Sequence, residues 1–231
     1  MGGGVTEVFI SGESGYSGQM AIKVNEIFYS IQGESSWAGR PCIFIRLTGC
    51  NLRCAYCDTR YAYEQGRVME IWEILKRIRE AGCDLVEVTG GEPLLQAETP
   101  ELIATLLDAG YTVLLETNGS LDIGPVDKRC ARIIDIKCPT SGMCGRNDLQ
   151  NLRKLGARDE LKFVIGTRED YEFARHVLST IPAPRYTINF SPVSGAVEPC
   201  LLARWILEDR LAVRLNLQLH KIIWGAEARG V

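Results

Sequence analysis

Residues 42–57, CIFIRLTGCNLRCAYC, join an apolar strand candidate to a loop that carries the thiols of Cys50, Cys54 and Cys57. A loop this short can wrap all three around one metal centre, and thiolates are the ligands that suit iron-sulfur clusters and zinc. Clusters are commonly held by four thiolates, so three would leave one iron open. The spacing is also compatible with a Cys-x-x-Cys redox pair, a zinc knuckle or three unrelated buried thiols.

Around this loop, apolar β-rich segments alternate with helical patterns, which is typical of βαβ units and a mostly parallel sheet. The predicted strands cover residues 22–28, 42–47, 85–88, 112–116, 132–136, 161–165, 186–190 and 213–217. The predicted helices cover residues 69–81, 100–109, 148–155, 168–180 and 200–208. A complete eight-unit barrel typically takes about 250 residues, and only five helices are predicted here. The sequence therefore predicts an α/β fold, an incomplete (β/α) barrel with a mostly parallel sheet.

The totals favour one catalytic domain over residues 20–231, preceded by a flexible extension over residues 1–19 that is rich in Gly and Ser. Because 26 basic residues face 29 acidic ones, nothing indicates binding to nucleic acid or to an anionic membrane. No apolar run reaches the ~18 residues needed to span a bilayer. Nine cysteines without a secretory signal indicate a reducing compartment, and we expect a cytoplasmic enzyme with a small-molecule substrate.

Two further polar segments follow predicted strands. Thr89-Gly90-Gly91-Glu92-Pro93 comes directly after LVEV, and Glu116-Thr117-Asn118-Gly119 ends another strand. Glycine lets backbone approach a ligand closely, and the carboxyl ends of parallel strands meet at one edge of a sheet. Either segment alone could be an ordinary turn. Together with the cysteine loop, they predict a shared site at that edge.

The spacing Cys-x-x-x-Cys-x-aromatic-Cys, with Tyr56 before the last cysteine, resembles the radical S-adenosylmethionine superfamily. This resemblance implies a four-iron, four-sulfur (4Fe-4S) cluster on the three cysteines, with its open iron binding S-adenosyl-L-methionine. Reduction would then release a 5'-deoxyadenosyl radical. In that superfamily, a Gly-Gly-Glu-Pro segment lines the amino group of the cofactor.

A last group of polar residues indicates which reaction the enzyme catalyses. Ile31-Gln32-Gly33-Glu34 and Arg46 would place an amide, a carboxylate and a guanidinium near the radical, where they could read a pterin-like heterocycle and clamp a carboxylate. Taken singly, they are better explained as a surface turn and a surface ion pair. Combined with Asp58-Thr59, Asp135-Ile136-Lys137-Cys138-Pro139 and Gln218-Leu219-His220-Lys221, they resemble the 7-carboxy-7-deazaguanine synthase family over essentially the whole domain.

This resemblance implies ring contraction of 6-carboxy-5,6,7,8-tetrahydropterin to 7-carboxy-7-deazaguanine with loss of ammonia, in queuosine and 7-deazapurine biosynthesis. Magnesium (Mg2+) would assist at Thr59, and S-adenosyl-L-methionine would act catalytically. The implied cofactor contacts are Tyr56, Cys57, Asp58, Gly91, Glu92, Glu116, Asn118, Lys137, Cys138 and Pro139. The implied substrate contacts are Ile31, Gln32, Gly33, Glu34, Arg46, Thr89 and, through the chain terminus, Val231. The family's Gln-Gly-Glu-Gly reads Gln-Gly-Glu-Ser here, with Ser35.

The resemblance also suggests partners and rivals. A reductant such as flavodoxin or ferredoxin would supply electrons, and a homodimer would cover the exposed edges of an incomplete barrel. The nearest rival is a glycyl-radical activating enzyme that acts on a protein partner, although many of these carry extra ferredoxin-like cysteines. Only Cys83 lies between Cys57 and Thr89. A non-catalytic zinc or iron-sulfur module is a rival of another class.

Overall fold

The computed structural model describes residues 21–181, 184–226 and 228–231; the predicted extension over residues 1–19 lies outside them. Nine strands form one sheet in the order β3-β1-β2-β4-β5-β6-β7-β8-β9 within these ranges. The strands are β1 Ala21–Ile31, β2 Pro41–Leu47, β3 Arg67–Glu70, β4 Leu85–Gly90, β5 Thr112–Thr117, β6 Ala131–Ile136, β7 Glu160–Ile165, β8 Thr187–Pro192 and β9 Arg214–Leu215. The α-helices are α1 Ile71–Arg79, α2 Thr99–Asp108, α3 Arg168–Ser179, α4 Pro199–Glu208 and α5 Leu219–Trp224.

The sheet is parallel from β2 to β9, whereas β1 pairs antiparallel with both β2 and β3. β3 and β9 stand at its two edges, so the sheet does not close on itself. The prediction of an incomplete barrel with a mostly parallel sheet is therefore confirmed. All eight predicted strands are present, with ends that differ by up to three residues.

Three elements differ from the sequence predictions. The helix predicted from residue 69 begins at Ile71, because residues 67–70 pair with β1 as the short strand β3. The helix predicted over residues 148–155 is a 3-10 helix, Leu149–Lys154, which the Asp148 carboxylate caps by accepting from the Gln150 amide. Helix α5 was not predicted; it is a six-residue helix, which is too short to show a clear helical period.

The hydrophobic core lies between the sheet and its helices. One buried cluster joins α1 and α2 to the first strands, and a second joins α3 and α4 to β6, β7 and β8. All six residues of β6 are buried, as expected for a parallel strand that is covered on both faces. On the other face of the sheet, a third buried cluster that includes Phe44 and Leu114 covers part of the strands, and polar side chains occupy the rest.

Four neighbouring strands each place an ionisable residue on the inner face of the sheet near the cavity. These residues are Glu87 on β4, Glu116 on β5, Asp135 on β6 and Lys162 on β7. Successive side chains of a strand point to opposite faces, so the apolar neighbours face the helices while these four face inward. Asp135 and Lys162 are direct partners in the sheet register. The inner face of the half-barrel is therefore charged.

Candidate active site

A cavity of about 770 Å³ opens at the inner face, and the cysteine loop, the strand ends and the C-terminal segment line it. Its volume is typical of a small-molecule site. Most residues proposed from the sequence meet there: Ile31, Gln32, Gly33, Glu34, Arg46, Cys50, Cys54, Tyr56, Cys57, Asp58, Thr59, Thr89, Gly91, Glu116, Asn118, Lys137 and Val231. Glu92, Cys138 and Pro139 do not line it.

The cysteine loop follows β2 and is tied down at several points. The Gly49 amide donates to the Ala62 carbonyl (2.9 Å), and the Ala55 amide donates to the Ser141 carbonyl (3.1 Å). Leu52 is buried beneath the loop. Because both ends of the loop and its middle are anchored, the three thiols are held against one side of the cavity.

The cysteine thiols are the candidate metal ligands of the site. In the parts of the chain that the structure describes, no three Cys, His, Asp or Glu side chains converge on one metal position. A tetrahedral zinc would need its sulfur ligands at about 2.3 Å from one point, whereas each cysteine of a cluster binds its own iron. Burial raises the pKa of the Cys50 and Cys54 thiols, so a bound metal would have to displace their protons.

Gly90 and Gly91 are required by packing against this loop. A Cβ on Gly91 would lie 2.2 Å from the Gly49 carbonyl oxygen and 2.7 Å from Cys50 Cβ. Gly90 has a φ of +156°, and a Cβ there would lie 2.3 Å from the Leu47 oxygen. The two glycines thus let β4 end directly beside the cysteine loop.

Glu92 lies behind the cavity wall rather than in it. Its carboxylate is fully buried and accepts hydrogen bonds from the Leu94 amide (3.0 Å), the Thr117 hydroxyl (2.8 Å) and the Asn118 amide (2.7 Å). Glu92 therefore caps the 3-10 turn Pro93–Leu95 and links it to the end of β5. The Glu92 side chain is thus held by three donors, and its contact with the cofactor stays a prediction.

Cys138 and Pro139 are displaced from the cavity in the same way. The Cys138 thiol is fully buried and points to the Ile136 carbonyl (3.8 Å), while Pro139 begins a 3-10 turn. Their neighbour Lys137 does line the cavity, and its ammonium lies 2.8 Å from Asp135 Oδ2. Contiguity in the sequence suggested all three, but the turn at Pro139 leaves one of them facing the cavity.

Two buried polar atoms beside the cysteines have no partner among the described residues. They are the Tyr56 hydroxyl and Asp135 Oδ1, and both residues line the cavity. A buried polar group without a hydrogen bond is costly and rare, unless a ligand or water completes it. A donor and an acceptor next to the thiols fit the polar groups of S-adenosyl-L-methionine. Asn118, which donates to Asn51 Oδ1 (3.0 Å), stands at the same end.

The other end of the cavity is crowded with carboxyl groups. Lys162 Nζ lies 2.6 Å from Glu34 Oε2 and also contacts Glu116, while the Gln32 amide donates to Glu87. Burial, together with the charges of Glu116 and Glu34, raises the pKa of Glu87 well above its ordinary value. This end therefore combines an ammonium group with several carboxyl groups, of which Glu87 holds its proton more tightly than an ordinary carboxyl group.

A third group of residues surrounds the opening, or mouth, of the cavity. Arg46 Nε lies 2.7 Å from Glu26 Oε1, which also accepts from the Tyr61 hydroxyl (2.9 Å). Thr59 donates its hydroxyl to Asp58 Oδ1 (2.8 Å), and the other Asp58 oxygen lies 2.7 Å from Lys221 Nζ. Since the Thr59 proton is committed to Asp58, the lone pairs of its oxygen remain available to a ligand.

The C-terminal segment covers this mouth. The Leu219 amide donates to the Gly33 carbonyl (2.9 Å), and a Cβ on Gly33 would lie 2.2 Å from His220 Nδ1. The Arg229 guanidinium stacks 4.4 Å from the centre of the Tyr61 ring. Ser35, which follows the Gln-Gly-Glu segment, has a φ of 62°, a conformation that favours glycine. The chain therefore turns beside the mouth through a left-handed residue that is not glycine.

Several lining residues were not assigned a role from the sequence: Glu87, Asp135, Lys162, Gln218, His220 and Lys221. The signal for the first three was present, since each is a charged residue with apolar residues on both sides within a predicted strand. Such a residue faces away from the apolar core, but the face to which it points depends on the order of the strands in the sheet.

The class of protein follows from the sequence match and the shape of the site. The family described as the Radical SAM superfamily matches residues 44–164. A solved structure of SuiB from Streptococcus suis, bound to S-adenosylmethionine, shares the fold at a TM-score of 0.55 and 13% identity, covering 74% of this chain and 48% of that chain. The three-cysteine loop at the end of β2 thus belongs to a radical S-adenosylmethionine fold with a 4Fe-4S cluster and S-adenosyl-L-methionine as its cofactors.

Full-length relatives specify the family. The chain is 48% identical to a 7-carboxy-7-deazaguanine synthase of Chlorobaculum tepidum, covering 93% of this chain and 100% of that protein. It is 45% identical to one of Koribacter versatilis, over 91% and 100%. The crystal structure of QueE from Escherichia coli matches with a TM-score of 0.72 and 25% identity, over 86% and 94% of the two chains. The chain belongs to the 7-carboxy-7-deazaguanine synthase family.

Proposed function

We propose that this chain converts 6-carboxy-5,6,7,8-tetrahydropterin into 7-carboxy-7-deazaguanine and ammonia, as a carbon-nitrogen lyase in queuosine and 7-deazapurine biosynthesis. The observation that carries the proposal is one cavity with the cysteine loop at one end and a set of amide, carboxylate and guanidinium groups at the other. A radical source and a pocket for a polar heterocycle are thereby placed face to face. The names of the full-length relatives support the same reaction.

The cysteine end would hold the cofactors. Cys50, Cys54 and Cys57 would bind the cluster, and the unpaired Tyr56 hydroxyl and Asp135 Oδ1 would complete their hydrogen bonds on S-adenosyl-L-methionine. When bound, these cofactors supply a 5'-deoxyadenosyl radical that removes a hydrogen atom from C6 of the pterin and later returns it. The protein holds the cofactors and the pterin at a fixed distance from each other and excludes water from the site.

The opposite end would bind the pterin. Gln32, Glu34 and Glu116 line the cavity with amide and carboxylate groups, which match the N–H and C=O edge of a pyrimidinone ring. Glu116 was expected to contact the cofactor, but its ion pair with Lys162 groups it with Glu34 instead. We therefore assign Glu116 to the substrate. Thr89, at the end of β4, would add a hydroxyl to this pocket.

The mouth would bind the substrate carboxylate together with Mg2+. The Thr59 oxygen is a hard ligand whose lone pairs are free, and Mg2+ that is held by few protein groups uses substrate and water oxygens for the rest. Arg46 lies nearby and can form two hydrogen bonds with a carboxylate. Val231 also lines the mouth. Positioning the carboxylate in this way would fix C6 relative to the cysteine end.

The partners follow from the same chemistry. We propose that an acidic one-electron donor such as flavodoxin or ferredoxin reduces the cluster, and that a homodimer covers an exposed edge of the sheet. The nine cysteines are all free thiols, which agrees with a cytoplasmic location. No helix in the described part of the chain is long and apolar enough to cross a membrane.

The test is a product assay under anaerobic conditions. Reconstituted protein is incubated with the tetrahydropterin, S-adenosyl-L-methionine, Mg2+ and a reductant, and the products are analysed by mass spectrometry. We expect 7-carboxy-7-deazaguanine in the wild type and none in Cys54→Ala. If the cofactor is cleaved but only a protein partner is modified, the activating-enzyme function replaces the synthase function.

A further inference from the structure

One ammonium group lies among several carboxyl groups at the closed end of the cavity. Lys162 Nζ lies 2.6 Å from Glu34 Oε2, contacts Glu116 Oε1 and lies 3.9 Å from Asp135 Oδ2. The Lys162 side chain is only 6% exposed. A lysine this deeply buried is stable only when it is paired, so its environment is built from these carboxylates.

Lys162 joins two carboxylates that come from distant parts of the chain. Glu34 follows β1, Glu116 stands on β5, and both line the cavity. The second oxygen of Glu34 accepts a hydrogen bond from the Gln218 amide (2.7 Å). Glu34 is thus fixed on both sides, whereas Glu116 has one oxygen held by Lys162 and one that remains available to a ligand.

The positive charge of Lys162 offsets the negative charge of the carboxyl groups around it. Glu34, Glu116 and Glu87 lie close enough to influence one another, and burial together with these neighbours raises the pKa of Glu116 and of Glu87. Burial lowers the pKa of Lys162, but Glu116 and Glu34 outweigh it and keep the ammonium charged. Without Lys162, the carboxylates would repel one another in a poorly solvated pocket, and they would move apart or bind protons.

We propose that Lys162 is a positioning residue for the ring contraction: its ammonium holds Glu34 and Glu116 where they accept hydrogen bonds from the N–H groups of the pyrimidine ring of the substrate. This inference rests on the proposed function. Lys162 uses two of its three N–H donors to hold these carboxylates. It acts on the substrate through them.

The experiment compares Lys162→Met and Lys162→Arg with the wild type, all loaded with cluster and S-adenosyl-L-methionine. Calorimetry measures the Kd for the tetrahydropterin, and chromatography measures 5'-deoxyadenosine released per product formed. We expect Lys162→Met to raise the Kd about tenfold or more, because one partner of a buried charge pair is lost. Release of 5'-deoxyadenosine per product should also rise, since a misplaced substrate does not return the hydrogen atom.

Lys162→Arg keeps the charge but exchanges a compact ammonium for a larger planar fork. Its Kd should lie between those of wild type and Lys162→Met, with full iron content. Lys154→Met, which removes an exposed lysine paired with Asp122, is the matched control and should leave both readouts unchanged. If Lys162→Met fails to load its cluster, Lys162→Arg decides the matter.

A wild-type Kd in Lys162→Arg, or in a properly loaded Lys162→Met, would overturn the inference. So would a parallel loss of iron, cofactor affinity and pterin affinity in Lys162→Arg, which would indicate a merely structural role. Failure of the proposed function has a different signature, since the wild type would then bind the tetrahydropterin without making deazaguanine, or would not bind it at all.

Discussion

At the scale of single residues, the space beside Cys50 depends on the missing side chain of Gly91. A Cβ at this position would lie 2.2 Å from the Gly49 carbonyl oxygen, and backbone atoms of an anchored loop cannot move cheaply. We expect Gly91→Ala to displace the cysteine loop and to lower iron content after reconstitution to less than about half of the wild-type value, because ligand geometry is specific. Iron and sulfide analysis measures this effect.

Gly145→Ala is the control for that change. No atom lies within 4 Å of a Cβ built at Gly145, so the added methyl group should leave iron content unchanged. Equal iron in Gly91→Ala and the wild type would show that the loop adapts, and that the close packing of β4 against it is not required.

Glu87 gives a prediction about pH. Its pKa is raised above the ordinary carboxyl value of about 4.3 by burial and by Glu116 and Glu34. The folded state therefore binds a proton that the unfolded state has already lost. The contribution of Glu87 to stability is fully present below about pH 4 and falls as the pH rises towards its folded pKa.

Glu87→Gln removes this titration and keeps an acceptor for the Gln32 amide. We expect the variant to gain stability over the wild type as the pH rises from 4 to 8, with about 2–4 °C in Tm for each kcal/mol. Thermal unfolding at several pH values measures the difference. Parallel pH profiles of Tm in the two proteins would mean that Glu87 is ionised in the folded state.

Sequence reasoning identified the residues that lie in recognisable segments, such as Cys50, Gln32 and Thr59. It did not identify Lys162 or Glu87 as site residues, because a charge inside an apolar strand acquires a partner only when the strand order is known. It also could not show which groups hold the Glu92 carboxylate, since two of their donors lie at the end of β5, 25 and 26 residues further along the chain.

At the scale of elements, helix α5 closes the mouth by packing on Gly33. A Cβ on Gly33 would lie 2.2 Å from His220 Nδ1 and 2.9 Å from the His220 backbone nitrogen. We expect Gly33→Ala to push α5 away, break the pair between Lys221 and Asp58, and speed tryptic cleavage after Lys221 by about tenfold or more, since local opening governs such cleavage. Mass spectrometry of the fragments reports the rate.

The same digestion of Gly145→Ala should follow the wild-type time course. Iron content in Gly33→Ala should also remain at the wild-type value, because the hydrogen bonds that anchor the cysteine loop to Ala62 and Ser141 do not involve α5. Unchanged cleavage after Lys221 would show that α5 tolerates the methyl group and that it is not held by Gly33.

The elements themselves were largely predictable, and the exceptions have local causes. β3 has four residues and runs directly into α1, so its β-pairing was masked by the helical pattern that follows. Helix α5 has six residues and is fixed by tertiary contacts with Gly33 and Asp58. Short elements of this kind carry little periodic signal and depend on distant neighbours.

At the scale of the whole molecule, the alternation of strands and helices predicted an open barrel, and the family comparison agrees with it. The predicted homodimer remains a prediction, since it depends on surfaces that no single chain displays as paired. The end of β2, the strands β4 to β7 and the C-terminal segment all line the same cavity. The proposed reaction depends on the fixed distance between the cofactors at its cysteine end and the pterin at its carboxylate end.

The most direct test of the proposed function measures the ratio of product formed to cofactor consumed. The reconstituted protein is supplied with excess tetrahydropterin and a limiting amount of S-adenosyl-L-methionine, with Mg2+ and reductant, and both 7-carboxy-7-deazaguanine and remaining cofactor are quantified. We expect many molecules of deazaguanine for each molecule of S-adenosyl-L-methionine consumed. Cofactor cleavage without any deazaguanine would contradict the proposed function.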